Sequence, residues 1–526
     1  MLNEAGYAPD VADPPNLGSL PGIIARVAAI SPDRPCVALA SGPEDATSYG
    51  QMASLIVDEV ARLRSSGLTP GAHAALMLPR SVEYLVSYFA ILACGGVVVP
   101  LGIDLTAPEI AVDLAYCDVT LAIRDAVVAE RFPVDLPALD APHLSSKPHA
   151  EAAAVANLAD MGRALDPESL ALLLHTSGTM SHPKRVMLSH RNVLRNAQAH
   201  GASVGAGPDD RVLIALPMHF GYCNTAQIVT HLMTSGSLYL AAAGFSPRAF
   251  RRMVARCGIT TTTLVPTMLY ALAAERDLAP TPVPSLRAVT FGGGPVDGPR
   301  LMALAKRLPG VDLIQTYGQT EAGPRLTTRR RAEQAPHSVG HAIAEVELSI
   351  RDETAKACPA GSPGEIWARG PGVMQGYFKA AEQTEEVFAE GWLRTGDIGV
   401  LSADGELSVV GRLRNTIIRG GQNIYPEQIE AVLQAHDGVA AAAVVGQPDP
   451  FQGEVPVALL VSAGVERPSE ADLIAHCSAR LARAKIPARF EWRDVLPRTY
   501  NQKIARGRLE EPSQTQPDAA PAPARP

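Results

Sequence analysis

An apolar run at residues 170–174 opens almost directly into Thr176, Ser177, Gly178 and Thr179, and the stretch closes on Pro183 and Lys184. No other feature constrains the fold as tightly. A short apolar run ending in a polar turn reads as a buried strand. Three hydroxyls around a glycine let backbone N–H groups and side-chain donors converge on an anion, and the lysine adds positive charge. Such a loop suits the phosphates of a nucleotide. The Walker A spacing G-x-x-x-x-G-K-[ST] is absent, so the loop is of another kind.

Further short apolar runs at 37–40, 74–78, 212–216, 237–240, 261–265, 288–291 and 313–315 alternate with helical patterns such as 82–92. Apolar strands separated by helices predict an α/β chain whose large N-terminal domain holds mostly parallel sheets covered by helices. From residue 346 onward turn signals crowd in (Pro363-Gly364, Pro371-Gly372, Asp404-Gly405), which predicts a β-rich subdomain. The expected organisation is a large domain over 1–411, a hinge at 412–414, and a small α+β C-terminal domain over 415–510. The small domain should carry a strand at 439–445 and a helix at 469–481. The tail 511–526, rich in Pro, Ala and Gln, is expected to be disordered.

Composition removes several classes of function. With 526 residues, 47% of them hydrophobic, the chain can bury large cores. A net charge of −8 argues against a nucleic-acid surface, which needs a basic stripe. Seven scattered cysteines form no C-x-x-C pair, so neither a zinc site nor a disulfide scaffold is indicated and a cytoplasmic setting is expected. The N-terminus lacks the basic and apolar regions of a signal peptide. The most apolar stretch, 84–103, is divided by Gly95, Gly96 and Pro100, and reads as a helix followed by a buried strand, not a membrane span.

Several residues stand where chemistry is done. Glu321 follows the strand at 313–315, and ligands gather at the carboxyl ends of strands in open α/β sheets. One carboxylate beside phosphates is enough protein ligation for Mg²⁺, which keeps waters and phosphate oxygens. Gly292, Gly293 and Gly294, followed by Pro295, also come after a strand, and backbone without side chains lets a flat base lie close. Asp397 could accept from two ribose hydroxyls; Arg412 stands at the domain boundary, and Lys503 on a stretch that reads as a loop. Taken singly, each has an ordinary alternative: a solvated rim carboxylate, turn chemistry, a solubilising lysine.

In order, T-S-G-T-x-x-x-P-K (176–184), G-G-G-P (292–295), Y-G-Q-T-E (317–321), T-G-D (395–397), G-R (411–412) and P-R-T-x-x-x-K (497–503) form a set. That set closely resembles the adenylate-forming superfamily, which includes acyl-CoA synthetases, nonribosomal-peptide adenylation domains and beetle luciferases. The resemblance runs from about residue 47 to Leu509. It implies ATP-dependent activation of a carboxylic acid to acyl-AMP with release of pyrophosphate, then transfer to a thiol.

By that resemblance Thr176, Ser177, Gly178, Thr179 and Lys184 would hold the β- and γ-phosphates. Gly292, Gly293, Gly294, Pro295 and Tyr317 would flank adenine, with Gly318 and Gln319 in the same nucleotide-binding motif. Thr320 would approach the α-phosphate, Glu321 would hold Mg²⁺, and Asp397 and Arg412 the ribose. Lys503 would bridge the α-phosphate and the attacking carboxylate, since positioned positive charge offsets the repulsion between two anions that must meet. Arg414 falls at the hinge position. The chain departs from the family's usual residues at Met180-Ser181, Arg185, Gln502 and Asn415, which replaces a frequent aspartate. No charged residue assigned a role is lost.

The stretch containing His219, Phe220, Tyr222, Cys223 and Asn224 resembles the family segment that lines the acyl pocket. An α-amino acid would want a carboxylate here to pair its ammonium, and none occurs between 213 and 233. A non-amino acyl or aryl acid is therefore expected. His219 could pair with a carboxylate, gate the pocket as an aromatic, or simply pack. Residues 417–426 resemble the corresponding segment of CoA ligases, which favours CoA as acceptor. The alternatives are the phosphopantetheine of a free-standing acyl carrier protein, a silent binding protein of the same fold and, least favoured, a luciferase-like oxidation.

Overall fold

The structure is a computed structural model that describes residues 18–132, 136–142, 144, 151–175, 184–242, 244–274, 283–294, 296–464, 466–497, 506 and 509. The chain divides between residues 409 and 410 into two compact units.

The first unit is built on two large sheets. In the nine-stranded sheet, Pro35–Leu39, Ser237–Leu240, Arg211–Ile214, Thr261–Leu264, Ala288–Phe291 and Asp312–Tyr317 lie side by side in that spatial order, all parallel. Several of these strands are buried at every residue, as a parallel sheet covered on both faces requires. Antiparallel strands close its edges: Gly42–Ser48 on one side, Thr327–Arg329 and His341–Ala342 on the other.

In the seven-stranded sheet the parallel set is Leu170–His175, Val97–Pro100, His73–Met77, Val119–Arg124 and Ala138–Asp140. Arg185–Ser189 and then Gly376–Tyr377 extend it antiparallel beyond Leu170–His175. The apolar stretch at 84–103 is the helix Val82–Ala93, buried at every residue but Glu83, followed by the strand Val97–Pro100. Gly95, at φ +74°, turns the chain between them, a conformation that a Cβ would oppose. No helix among the described residues is long and apolar enough to cross a membrane. The turn-rich region after residue 346 is an antiparallel five-stranded sheet containing Glu347–Arg351, Pro363–Arg369 and Trp392–Leu401.

The second unit has its own five-stranded sheet, in which Gly453–Ser462 pairs with Val439–Asp449 and, in parallel, with Arg489–Trp492. Ile429 and Leu433 of helix Pro426–Gln434 share a core with Leu473 and Cys477 of helix Glu470–Ser478. The strand expected at 439–445 runs on to Asp449, because Gly446, Gln447 and Pro448 continue the ladder opposite Pro456, Val455 and Glu454. The apolar pattern stops there but the backbone pairing does not. The helix expected over 469–481 ends at Ser478; Ser469 caps it, accepting from the Asp472 N–H. Buried in this unit, Glu430 Oε1 accepts from the Val444 N–H and from Arg506 Nη2, both at 2.7 Å.

None of the seven cysteines is in a disulfide, and six are buried. Burial pushes the Cys94, Cys117 and Cys477 thiols up to about 11 and that of Cys223 to about 12.

Candidate active site

The strand Leu170–His175 and the strand Arg185–Ser189 form an antiparallel pair, with His175 opposite Arg185. Between them Thr176, Ser177, Gly178, Thr179, Met180 and Ser181 lie outside the described residues, as do Pro295, Gln502, Lys503 and the tail 511–526. Lys184 places its ammonium 4.7 Å from the centre of the Tyr377 ring. Tyr377 is there because Gly376–Tyr377 adds a third strand to the pair, with Tyr377 opposite Val186.

The same tyrosine reaches the other sheet. Its hydroxyl donates to Glu321 Oε1 at 2.8 Å. Glu321 stands in the single 3₁₀ turn Thr320–Ala322, which follows the strand Asp312–Tyr317. Burial, and then the Glu321 charge, hold the Tyr377 phenol well above its usual range, so it remains a donor. Lys184, Tyr377 and Glu321 thus make one chain of contacts from the edge of the seven-stranded sheet to the carboxyl end of the nine-stranded one. The approach into this turn is tight: a Cβ on Gly318 would stand 2.1 Å from the Pro324 carbonyl oxygen.

A second carboxylate is held in a similar way. The Tyr317 hydroxyl donates to Asp397 Oδ2 at 2.8 Å, and Asp397 is buried on the strand Trp392–Leu401. Thr395 fixes the local backbone: its hydroxyl accepts from the Asp397 N–H and donates to the Ile366 carbonyl. Gly292, directly after Ala288–Phe291, has no room for a side chain, since a Cβ would lie 2.6 Å from the Thr316 carbonyl oxygen. Gly293 and Gly294 continue the loop, and Gln319 precedes Thr320 at the start of the 3₁₀ turn. Arg412 and Arg414 belong to the second unit, at the end of the strand Leu407–Arg412 and within the turn Leu413–Asn415.

His219 packs edge-on against Phe220, with ring centres 4.3 Å apart. Burial, and then the neighbouring His175 and Arg185, lower its pKa to about 3, so the ring is neutral near pH 7 and does not act as a cation. Cys223 and Asn224 are buried, and the Tyr88 hydroxyl donates to Asn224 Oδ1 at 3.3 Å. The Tyr222 hydroxyl lies 3.4 Å from Thr316 Oγ1. Arg185 is fully buried and ion-paired with Asp113 at 2.6 Å, on the helix Ala107–Tyr116.

Two residues near the motifs have no counterpart in the sequence reading. Tyr377 is one. Arg325 is the other: it is 4% exposed and its guanidinium carbon lies 3.6 Å from the centre of the Tyr222 ring. An arginine so deeply buried without a carboxylate neighbour in sequence carries no motif, and only the fold reveals it.

Two linked units, with a lysine and a carboxylate that share one tyrosine at the ends of two α/β sheets, have the arrangement of an adenylate-forming enzyme. The chain belongs to the AMP-binding enzyme family, which matches residues 24–378, and the AMP-binding enzyme C-terminal domain matches residues 428–503. It is 34% identical over 467 residues to the feruloyl-CoA synthase of Amycolatopsis sp, spanning 88% of this chain and 93% of that one. It is 33% identical over 507 residues to the sulfoacetate–CoA ligase of Cupriavidus necator, spanning 94% and 98%. Among solved structures it resembles the o-succinylbenzoate coenzyme A synthetase of Bacillus subtilis in complex with ATP and magnesium ion. That likeness has a TM-score of 0.81 and 27% identity over 93% of this chain and 99% of the other. The chain is an AMP-forming acid–thiol ligase that works with ATP, Mg²⁺ and CoA.

Proposed function

We propose that the enzyme activates a non-amino carboxylic acid with ATP and passes the acyl group to the thiol of CoA. The observation that carries this reading is the Lys184–Tyr377–Glu321 chain, which brings a cation and a carboxylate to one place. The acid's carboxylate oxygen attacks the α-phosphorus of ATP. The bond from that phosphorus to the bridging oxygen breaks, and pyrophosphate leaves. The CoA thiolate then attacks the acyl carbon, the carbon–oxygen bond to AMP breaks, and AMP departs.

In this scheme Thr176, Ser177, Gly178, Thr179 and Lys184 bind the β- and γ-phosphates. Gly292, Gly293, Gly294, Pro295 and Tyr317 border the adenine, with Gly318 and Gln319 beside them. Thr320 meets the α-phosphate, and Asp397 and Arg412 hold the ribose. Lys503 neutralises the two anions as they approach. Glu321 suits Mg²⁺: it is one carboxylate anchored through one oxygen by Tyr377, and no cluster of three or more His, Cys, Asp or Glu occurs among the described residues. Bound there, Mg²⁺ supplies positive charge to phosphate oxygens. His219, Phe220, Tyr222, Cys223 and Asn224 border the acid, His219 as a neutral aromatic wall. The working domains are 1–411 and 415–510, joined by a hinge at 412–414 that turns at Arg414, in a cytoplasmic enzyme.

The test is product identity. With ATP, Mg²⁺, an acid drawn from a broad panel and CoA, the enzyme should yield AMP, pyrophosphate and an acyl-CoA. ADP with an acyl phosphate would overturn the reading. A thioester formed only on carrier protein would replace the acceptor.

A further inference from the structure

Arg325 is a buried cation with an unusual lack of partners. Nη1 donates to the Pro324 carbonyl at 3.3 Å. Nε and Nη2 are buried and have no hydrogen-bond partner, and no carboxylate pairs with the group among the described residues. Burial pushes the guanidinium down to about 10, and the Tyr222 phenol is the group that acts in the opposite direction. The Tyr222 ring beneath it offsets part of the cost of burying the charge, but it accepts none of these N–H groups.

The two unpartnered groups are not scattered. Nη1 is the nitrogen on the Cδ side of the guanidinium, so Nε–H and an N–H of Nη2 project from the opposite edge, parallel to each other. That is the edge whose spacing matches the two oxygens of a carboxylate. Nearby, His200 on the helix His190–Val204 is buried; its pKa is held well below the usual range by burial and then by the Arg325 charge, and its Nδ1 has no partner. The ring is therefore neutral and does not supply the missing anion.

We infer that Arg325 is a specificity-determining residue, and that the substrate is an acid with a second anionic group, a carboxylate or sulfonate, seated on the Nε–Nη2 edge. The inference deepens the acid-activating reading and rests on it, and on Tyr222 bordering the acyl pocket. The carboxylate to be activated reacts at the phosphate end, while the distant anion is recognised at Arg325. The same cation repels an ammonium, which strengthens the exclusion of α-amino acids drawn from the absence of acidic residues between 213 and 233.

The experiment is ATP–pyrophosphate exchange on matched pairs: succinate beside butyrate, adipate beside hexanoate, terephthalate beside benzoate, and 3-sulfopropanoate beside propanoate. In at least one pair the dianionic acid should exceed its partner by roughly 10²-fold in kcat/KM, because a buried donor edge left empty penalises the acid that lacks the group. The sulfonate pair separates the two kinds of anion. Arg325→Met should abolish that preference by lowering kcat/KM for the dianionic acid alone, and Arg325→Lys should restore part of it. If Arg325→Met lowers both members of a pair equally, the residue is structural and the inference is overturned. If the variants do not fold, the wild-type enzyme decides: exchange with monoanionic acids equal to or above their partners overturns the inference while leaving acid activation standing. Exchange with no acid in the panel would overturn both.

Discussion

Asn415 Nδ2 donates to Glu427 Oε1 across 2.6 Å, and the same oxygen lies 3.3 Å from Arg506 Nη2. One carboxylate thereby joins the turn Leu413–Asn415, the helix Pro426–Gln434 and Arg506, which follows Lys503 by three residues in the sequence. The amide at 415 matters because it donates; a carboxylate there would face Glu427 as a like charge. Asn415→Ala should cost about 1 kcal/mol, one ordinary hydrogen bond, and Asn415→Asp roughly 2 kcal/mol at neutral pH. The aspartate variant should recover in acid as one of the two carboxylates takes a proton. Amide exchange in Pro426–Gln434 reads this locally. Equal protection in both variants across the pH range would show that the junction is not electrostatic.

Tyr377→Phe keeps the ring under Lys184 and removes only the hydroxyl that holds Glu321. A residue that orients a metal-binding carboxylate typically matters by 10–100-fold. The Mg²⁺ concentration for half-maximal turnover should therefore rise roughly tenfold, while Glu321→Gln should nearly eliminate Mg²⁺-dependent turnover. An unchanged Mg²⁺ requirement in both variants would place the metal elsewhere.

Lys503→Ala should slow acyl-AMP formation by roughly 10²–10³-fold, the loss expected for one preorganised electrostatic donor. Supplied with synthetic acyl-AMP and CoA, the same variant should form thioester at near the wild-type rate. Arg414→Pro should show the reverse pattern, because fixing φ at the hinge hinders the swing between the two steps. The two half-reactions measured separately on each variant decide the matter; equal slowing of both by Lys503→Ala would remove the two-conformation mechanism.

Glu430 carries a pH signature. Burial raises its pKa from 4.5 to about 7, against the pull of Arg506 and with the push of Glu427. A raised folded pKa means that protonation favours the folded state. The contribution is fully present below 4.5 and is lost as pH rises through about 7. Glu430→Gln stays neutral and can still accept from Val444 and Arg506, so it should flatten the stability curve across that window. Urea unfolding of the whole chain followed at Trp492 would show it; the same slope in wild type and variant would assign the titration to another group.

What could be read in advance follows the range of the forces involved. Most of the parallel strands are legible as short runs with their own turns, although Val119–Arg124 and Ala138–Asp140 are not among those runs, and the turn at Gly95 between the helix Val82–Ala93 and the strand Val97–Pro100 is marked by the residue itself. Glu321 and Lys184 stood out through their immediate neighbours in the chain. Tyr377 did not, since it meets Glu321 across 56 residues and is brought there by a two-residue edge strand with no pattern of its own. Arg325 was hidden for a different reason: a charged residue in a polar stretch is by default exposed, and its burial against the Tyr222 ring is a product of packing. The extension of Val439–Asp449 past its apolar part is likewise a product of pairing, not of composition.

The buried thiols give the folded chain a chemical silence. Alkylation and oxidation need thiolate, and burial leaves six of the seven cysteines both inaccessible and protonated, with Cys358 the partly exposed one. A maleimide should therefore mark Cys358 quickly and the others only when their surroundings open. Because Cys477 reports on the second unit and Cys36, Cys94, Cys117, Cys223 and Cys257 on the first, the labelling rates become separate clocks for the breathing of each unit within one intact molecule.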